Sequence, residues 1–219
     1  MVSLDEVKAN PMVRTFIEKG NEHLAQMGFT DHGPIHVLLV SNLSREILSK
    51  LGYEKRFVEL AGIAGYMHDI GNVISRYGHS QSGALMAVEI LAGMGMDPAE
   101  IAIIAAAIGN HDEGYGHPVN VVAAALILAD KSHVHRNRVR NTDVATFDIH
   151  DRVNYAVEHS VLSIDEKRKL ITMELAIDIK ICPVMEYFEI FLSRMIMCRR
   201  AASFLDCQFE LIINGAKLL

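Results

Sequence analysis

The residues in this chain best suited to chemistry are histidines and aspartates. Eleven histidines occur among 219 residues, and four of them fall with two aspartates in the order His36, His68-Asp69, His79, His111, Asp130. The segment AGIAGYMHDIGN places His68 and Asp69 after a run of small and apolar residues. A carboxylate there needs a partner, because an unpaired buried charge is costly. Adjacent neutral imidazole and carboxylate groups suit Zn, Fe, Mn or Ni, and the pair suits equally well the capping of a helix C-terminus. His36, His79, His111 and Asp130 each lie at the edge of an apolar helical segment, where a lone histidine is more often a surface or hydrogen-bonded core residue. The ordered set of six is harder to attribute to chance, and it points to a metal centre.

Other candidates surround this set. Lys131, Arg136, Arg138 and Arg140 follow Asp130 closely, and arginine grips phosphate through two parallel hydrogen bonds; a solvated helix end is the plainer reading of each alone. Asp112 and Glu113 follow His111 as acceptors behind a ligand or as a general acid for a leaving group. His32 precedes Gly33-Pro34, which favours a helix start at Pro34 and leaves His32 in the loop before it. His133 and His135 alternate in a polar stretch and read as surface residues, and His117 reads as a loop residue. The eleven methionines read as core filler.

His36, His68-Asp69 and Asp130 resemble the metal motif that names the HD superfamily, over about residues 25 to 140. His79 and His111 look like the additional ligands of members that hold two metals, among them the HD-GYP cyclic-di-guanylate phosphodiesterases and the HD-type diadenosine tetraphosphate hydrolases. The resemblance implies that Asp69 bridges two ions, with His36, His68 and Asp130 on one and His79 and His111 on the other. It implies one or two divalent transition metals (Fe, Mn, Ni, Co or Zn) and hydrolysis of a phosphoester or phosphoanhydride bond by a metal-activated water. The substrate would be a nucleotide or another small phosphorylated metabolite. Asp69 and Asp112 are then the catalytic candidates, and Asn72, Lys131, Arg136 and Arg138 the phosphate-binding ones. Asn72 stands where the HD-GYP group has lysine, and that group's later motif survives only as the fragment Asn110 to Pro118, so cyclic di-guanylate is not indicated. His79-x-x-x-Gly83-Ala84 and Ala129-Asp130-Lys131 look closer to the tetraphosphate hydrolases. Two other readings remain open: a regulatory nucleotide-binding protein without catalysis, which the Asn72 departure favours, and a di-iron oxygenase.

The elements that must position these residues are mainly helical. From about residue 5 to 140 apolar residues recur at three-to-four spacing. Asp97-Pro98-Ala99-Glu100 announces a helix through Ile108, and Gly71 is expected to end the helix carrying Leu60 to Ile70. After about residue 150 the period changes to two: Ile171 to Ile181 reads as a half-buried strand, Tyr155, Val157 and Val161 as its partner, and Asp165-Glu166-Lys167 as the turn between them. Pro183 opens a helix to about Ala202, and Phe209 to Ile213 forms a last strand. The expected architecture is an HD-domain helical bundle over residues 1–150 followed by a ββαβ extension over 151–219.

Half of the residues are hydrophobic and 22% are charged, which places the chain in the globular class. The longest apolar runs, Ile101 to Ile108 and Val121 to Ala129, are too short to span a bilayer, and MVSLDEVKANPMV does not read as a secretory signal. A cytoplasmic location and no membrane partner are therefore expected. A net charge of −6 argues against DNA as a partner. Cys182, Cys198 and Cys207 read as reduced thiols. The alternating strand offers an edge through which a homodimer could form.

Overall fold

Residues Val122 to Ala129 are apolar and fully buried, the mark of a helix enclosed on every side. In the computed structural model, which describes all 219 residues, this segment belongs to α7 (Val121–Ser132), the helix around which the others assemble. The chain runs α1 (Leu4–Ala9), α2 (Pro11–Gln26), α3 (Pro34–Lys50), α4 (Lys55–Met67), a 3-10 turn (Ile70–Val73), α5 (His79–Gly93) and α6 (Pro98–Gly109) before it. After it come short 3-10 turns at Arg136–Arg138 and Val144–Thr146, then α8 (Ile149–Ala156), β1 (Val157–Asp165), β2 (Leu170–Ile177), α9 (Val184–Phe204), β3 (Gln208–Ile213) and β4 (Ala216–Lys217). No helix is long and apolar enough to cross a membrane.

Small residues draw α3 and α4 together. A Cβ on Gly65 would lie 2.8 Å from the Cα of Ser41, and the Ser41 hydroxyl donates to the Gly62 carbonyl at 2.7 Å. The expected helix at Asp97 is present as α6, with the Asp97 carboxylate accepting from the Ala99 N–H. Gly71 does not end α4. That helix stops at Met67, and Gly71 lies in the 3-10 turn that follows.

The C-terminal part is mixed, as its change of period foretold, with differences at the edges. Tyr155 is helical: the Asp148 carboxylate caps α8 by accepting from the Asp151 N–H, so β1 starts only at Val157. β2 ends at Ile177, because Asp178 turns the chain by accepting from the Lys180 N–H. The sheet order is β1-β2-β3-β4, antiparallel except for β2 and β3, which are parallel and joined through α9. The tail is thus ββαββ. It does not stand apart: α9 packs on α7, and one hydrophobic cluster runs from Val2 to Ile213 across the loop at residues 141–148.

Candidate metal centre

Five chain segments converge on one point. His36 lies in the first turn of α3, His68 and Asp69 in the turn beyond α4, His79 at the start of α5, His111 just past the end of α6, and Asp130 near the end of α7. The close approach of the turn after α4 to the start of α5 depends on Gly71. A Cβ there would lie 2.0 Å from the His79 carbonyl oxygen and 2.6 Å from the Gly83 nitrogen.

Asp69 stands at the centre. Its Oδ2 is 3.3 Å from His68 Nε2 and 3.7 Å from His36 Nε2, while its Oδ1 is 3.4 Å from His79 Nε2 and 3.9 Å from His111 Nε2. Asp130 Oδ1 completes the first group, 3.3 Å from His36 Nε2 and 3.6 Å from His68 Nε2. The four histidines and Asp69 are almost wholly buried.

The ring nitrogens facing away from the centre fix what the inner nitrogens can do. The Nδ1–H groups of His68, His79 and His111 donate to the carbonyls of Gly65, Arg76 and Ile108, at 2.8, 3.0 and 2.6 Å. A neutral imidazole that donates at Nδ1 carries a lone pair at Nε2. Yet the Nε2 atoms meet in pairs, His36 with His68 and His79 with His111, each at 3.2 Å. Lone pairs so placed repel unless a cation lies among them. Asp69 Oδ2 is buried without a hydrogen-bond partner, which is costly unless a cation meets it. Against burial, the Asp69 and Asp130 carboxylates raise the His68 pKa to about 10: they call for positive charge at the same point, and a divalent ion supplies that charge in place of the Nε2 proton. Burial pushes His36 down to about 4. The donor set therefore fits a divalent metal. Two overlapping clusters, His36-His68-Asp130 and His68-Asp69-His111, have ligand atoms within 4.8 Å of one another.

The profile of the HD domain matches residues 35–153, more than half of the chain. The chain belongs to the HD domain family. An uncharacterized protein of Methanocaldococcus jannaschii is 31% identical over an alignment of 102 residues, which covers 40% of this chain and 39% of that protein. The chain thus spans about two fifths of that curated relative's length. A crystal structure of a predicted HD superfamily hydrolase from an uncultured Thermotogales bacterium is similar with a TM-score of 0.45 and 24% identity, covering 61% of this chain and 75% of that one.

Around the HD ligands the remaining candidates separate. Lys131 and Arg138 line the small cavity at the ligand set. Lys131 Nζ is 2.8 Å from Asp130 and 2.6 Å from Glu113. Arg136 points elsewhere, held by Glu158 at 3.0 Å and stacked on Tyr155. Arg140 is drawn off by Asn21 and Asp31. Asn72 is buried beneath α2, where its amide donates to the Asp69 carbonyl at 3.0 Å and it does not line the cavity. Asp112 stands behind His79, 3.7 Å from Nδ1, and outside the cavity lining.

His133 is half-buried rather than a surface residue. Its ring stacks on His36 with Nδ1 atoms 2.8 Å apart, and a His36 Nδ1–H donating to it would leave Nε2 free for an ion. Sequence reasoning also missed Arg76 and Arg194, which line the cavity. Arg194 had a signal: with Phe191, Met195 and Cys198 it shares the spacing of the buried face of α9.

Proposed function

We propose that this HD protein is a metal-dependent phosphohydrolase acting on a nucleotide or another small phosphorylated metabolite. The observation that carries the reading is the single carboxylate, Asp69, whose two oxygens face two separate groups of imidazole lone pairs. Divalent ions held there would lower the pKa of an attacking water and neutralise phosphate oxygens in the transition state. The protein's own groups supply the remainder. Lys131, Arg76, Arg138 and Arg194 set positive charge around the ligand set, where it stabilises charge developing on a phosphoryl group. Lys131, fixed between Asp130 and Glu113, keeps its proton through burial because those two carboxylates oppose the loss. His133 and the three backbone carbonyls orient the imidazoles before any ligand arrives.

Elemental analysis of the metal-replete protein, alongside turnover of a phosphomonoester, phosphodiester and nucleotide panel with Mn, Fe, Ni, Co and Zn, tests this. Two ions per chain with turnover of a phosphate ester are expected. Inertness under every metal, in protein with its ions bound, sinks the hydrolase reading.

A further inference from the structure

We infer that α9 completes the site: Arg194 joins Arg76 and Arg138 in gripping a terminal phosphate, and Asp151 with Asn154 selects a ring-bearing alcohol that carries hydrogen-bond donors. The inference rests on the phosphohydrolase reading and narrows it to monophosphate esters of a nucleoside or sugar.

The three guanidinium groups are each steadied from behind. Arg138 donates from Nε to the Asp31 carbonyl and from one amino group to the His133 carbonyl, at 3.0 and 2.6 Å. Arg194 donates from Nε to Glu113 at 2.7 Å and lies over the Phe191 ring, 4.3 Å from its centre. Arg76 sits 5.8 Å from the centre of the Phe29 ring. Arginine carries five N–H donors, and neither terminal amino group of Arg194 has a partner in the protein. Those donors border the ion cavity. Four cations line that cavity against two lining carboxylates, Asp69 and Asp130, with Glu113 and Asp112 set behind Lys131 and His79, so the lining itself carries an excess of positive charge. A phosphomonoester dianion, with three free oxygens, answers it better than a diester, which has two.

A second cavity, of about 210 Å³, adjoins the first and shares His32, Arg76, Arg138 and Arg194 with it. Its outer walls differ in character. Met27 and Phe29 offer an apolar face, while α8 offers Asp151 and Asn154, both buried. Asp151 Oδ2 accepts from the Asn141 amide at 3.3 Å, but its Oδ1 has no protein partner. A carboxylate oxygen left free toward a pocket is placed to accept from an O–H or N–H donor on what enters. The cavity is smaller than the roughly 300–1,000 Å³ of pockets for larger ligands. In the hydrolysis, the oxygen of water bonds to phosphorus as the ester P–O bond breaks. One proton of the water ends on the departing alcohol, and inorganic phosphate remains.

The test uses the metal-replete full chain as wild type, Arg194→Gln, Arg194→Lys and Asp151→Asn, each checked for metal content and melting temperature. Calorimetry with inorganic phosphate should show affinity reduced about 10- to 100-fold in Arg194→Gln. Unchanged affinity overturns the role of Arg194. Should Arg194→Gln fail to fold, Arg194→Lys decides in its place, since it keeps the charge beside Glu113 but loses the fork. Turnover is then compared on adenosine monophosphate, glucose 6-phosphate, phenyl phosphate and diadenosine tetraphosphate. Asp151→Asn should raise KM about tenfold for whichever of the first two is the better substrate, and by a smaller factor for phenyl phosphate, whose ring carries no donor. The relative efficiency on those two esters tells nucleoside from sugar. Equal effects on phenyl phosphate, or a preference for the tetraphosphate, overturn the pocket assignment. If wild type turns over nothing, the hydrolase reading fails, while the phosphate calorimetry still decides Arg194.

Discussion

The two groups of imidazoles around Asp69 are held by different means. His36 and Asp130 stand within α3 and α7, whose packing is the core itself, and the outer nitrogen of His36 reaches a residue 97 positions along the chain. His79 and His111 stand at helix ends, each tied by Nδ1 to a carbonyl three residues earlier. His68 of the first group shares the local tie of the second, its Nδ1 held by the Gly65 carbonyl; otherwise the first group is fixed by tertiary packing, the second by local turns together with the close approach at Gly71. The first group should therefore be inseparable from the stability of the fold, whereas the second should be alterable with the core intact.

Asp69→Ala removes what the two groups share, so it tests the comparison most severely. Metal content should fall to none per chain, and activity by about 10³-fold or more, since several kcal/mol of charge stabilisation go with the ions. Retention of one tightly held ion would show that one group suffices alone.

Gly71→Ala strikes only the second group, by pushing the start of α5 away from the turn. It should cost about 1–3 kcal/mol in denaturant unfolding and release one ion of two by elemental analysis. Loss of both ions would mean that the groups are not separable. His133→Ala strikes only the first. Its ion should bind about 10- to 100-fold more weakly, as read by competition with a chelator, while the other ion stays.

The smallest effect lies far from both groups. Arg56 on α4 grips Glu100 on α6 through two hydrogen bonds, at 2.6 and 2.5 Å, and so clamps together the helices that lead to His68 and His111. The hydrogen bonds from Arg56 hold Glu100 below its ordinary pKa of 4.5. A carboxylate depressed in the folded state adds stability above its unfolded pKa and loses it as pH falls through the folded value. Glu100→Gln should cost about 0.2–1 kcal/mol at pH 7, with the difference from wild type shrinking below pH 4.5 and metal content unchanged.

The same contrast explains what could be read from residue types alone. Local signals were reliable: the Asp97-Pro98 cap, the apolar run of α7 and the period-two alternation in β2 all became the elements they announced. Strand edges were not, because the Asp148 cap and the Asp178 turn override β-forming side chains at Tyr155 and Ile179. Among site residues, histidines and aspartates at the edges of apolar segments announce themselves through the cost of burying them. Arg76 and His133 gain their positions only when distant segments meet, so spacing could not separate them from Arg136, which looks as suitable and turns away to Glu158; Arg194 alone carried a signal, its place on the buried face of α9.

The parallel pairing of β2 with β3 also sets an order of assembly. Antiparallel neighbours can close through a short turn, but parallel strands must wait for the whole connection between them, here α9, which carries Arg194. Every residue around Asp69 that could hold an ion lies at or before position 130. The residues suited to an ion are thus complete in the sequence before the helix that closes the cavity begins, and that helix is also the link between the two parallel strands.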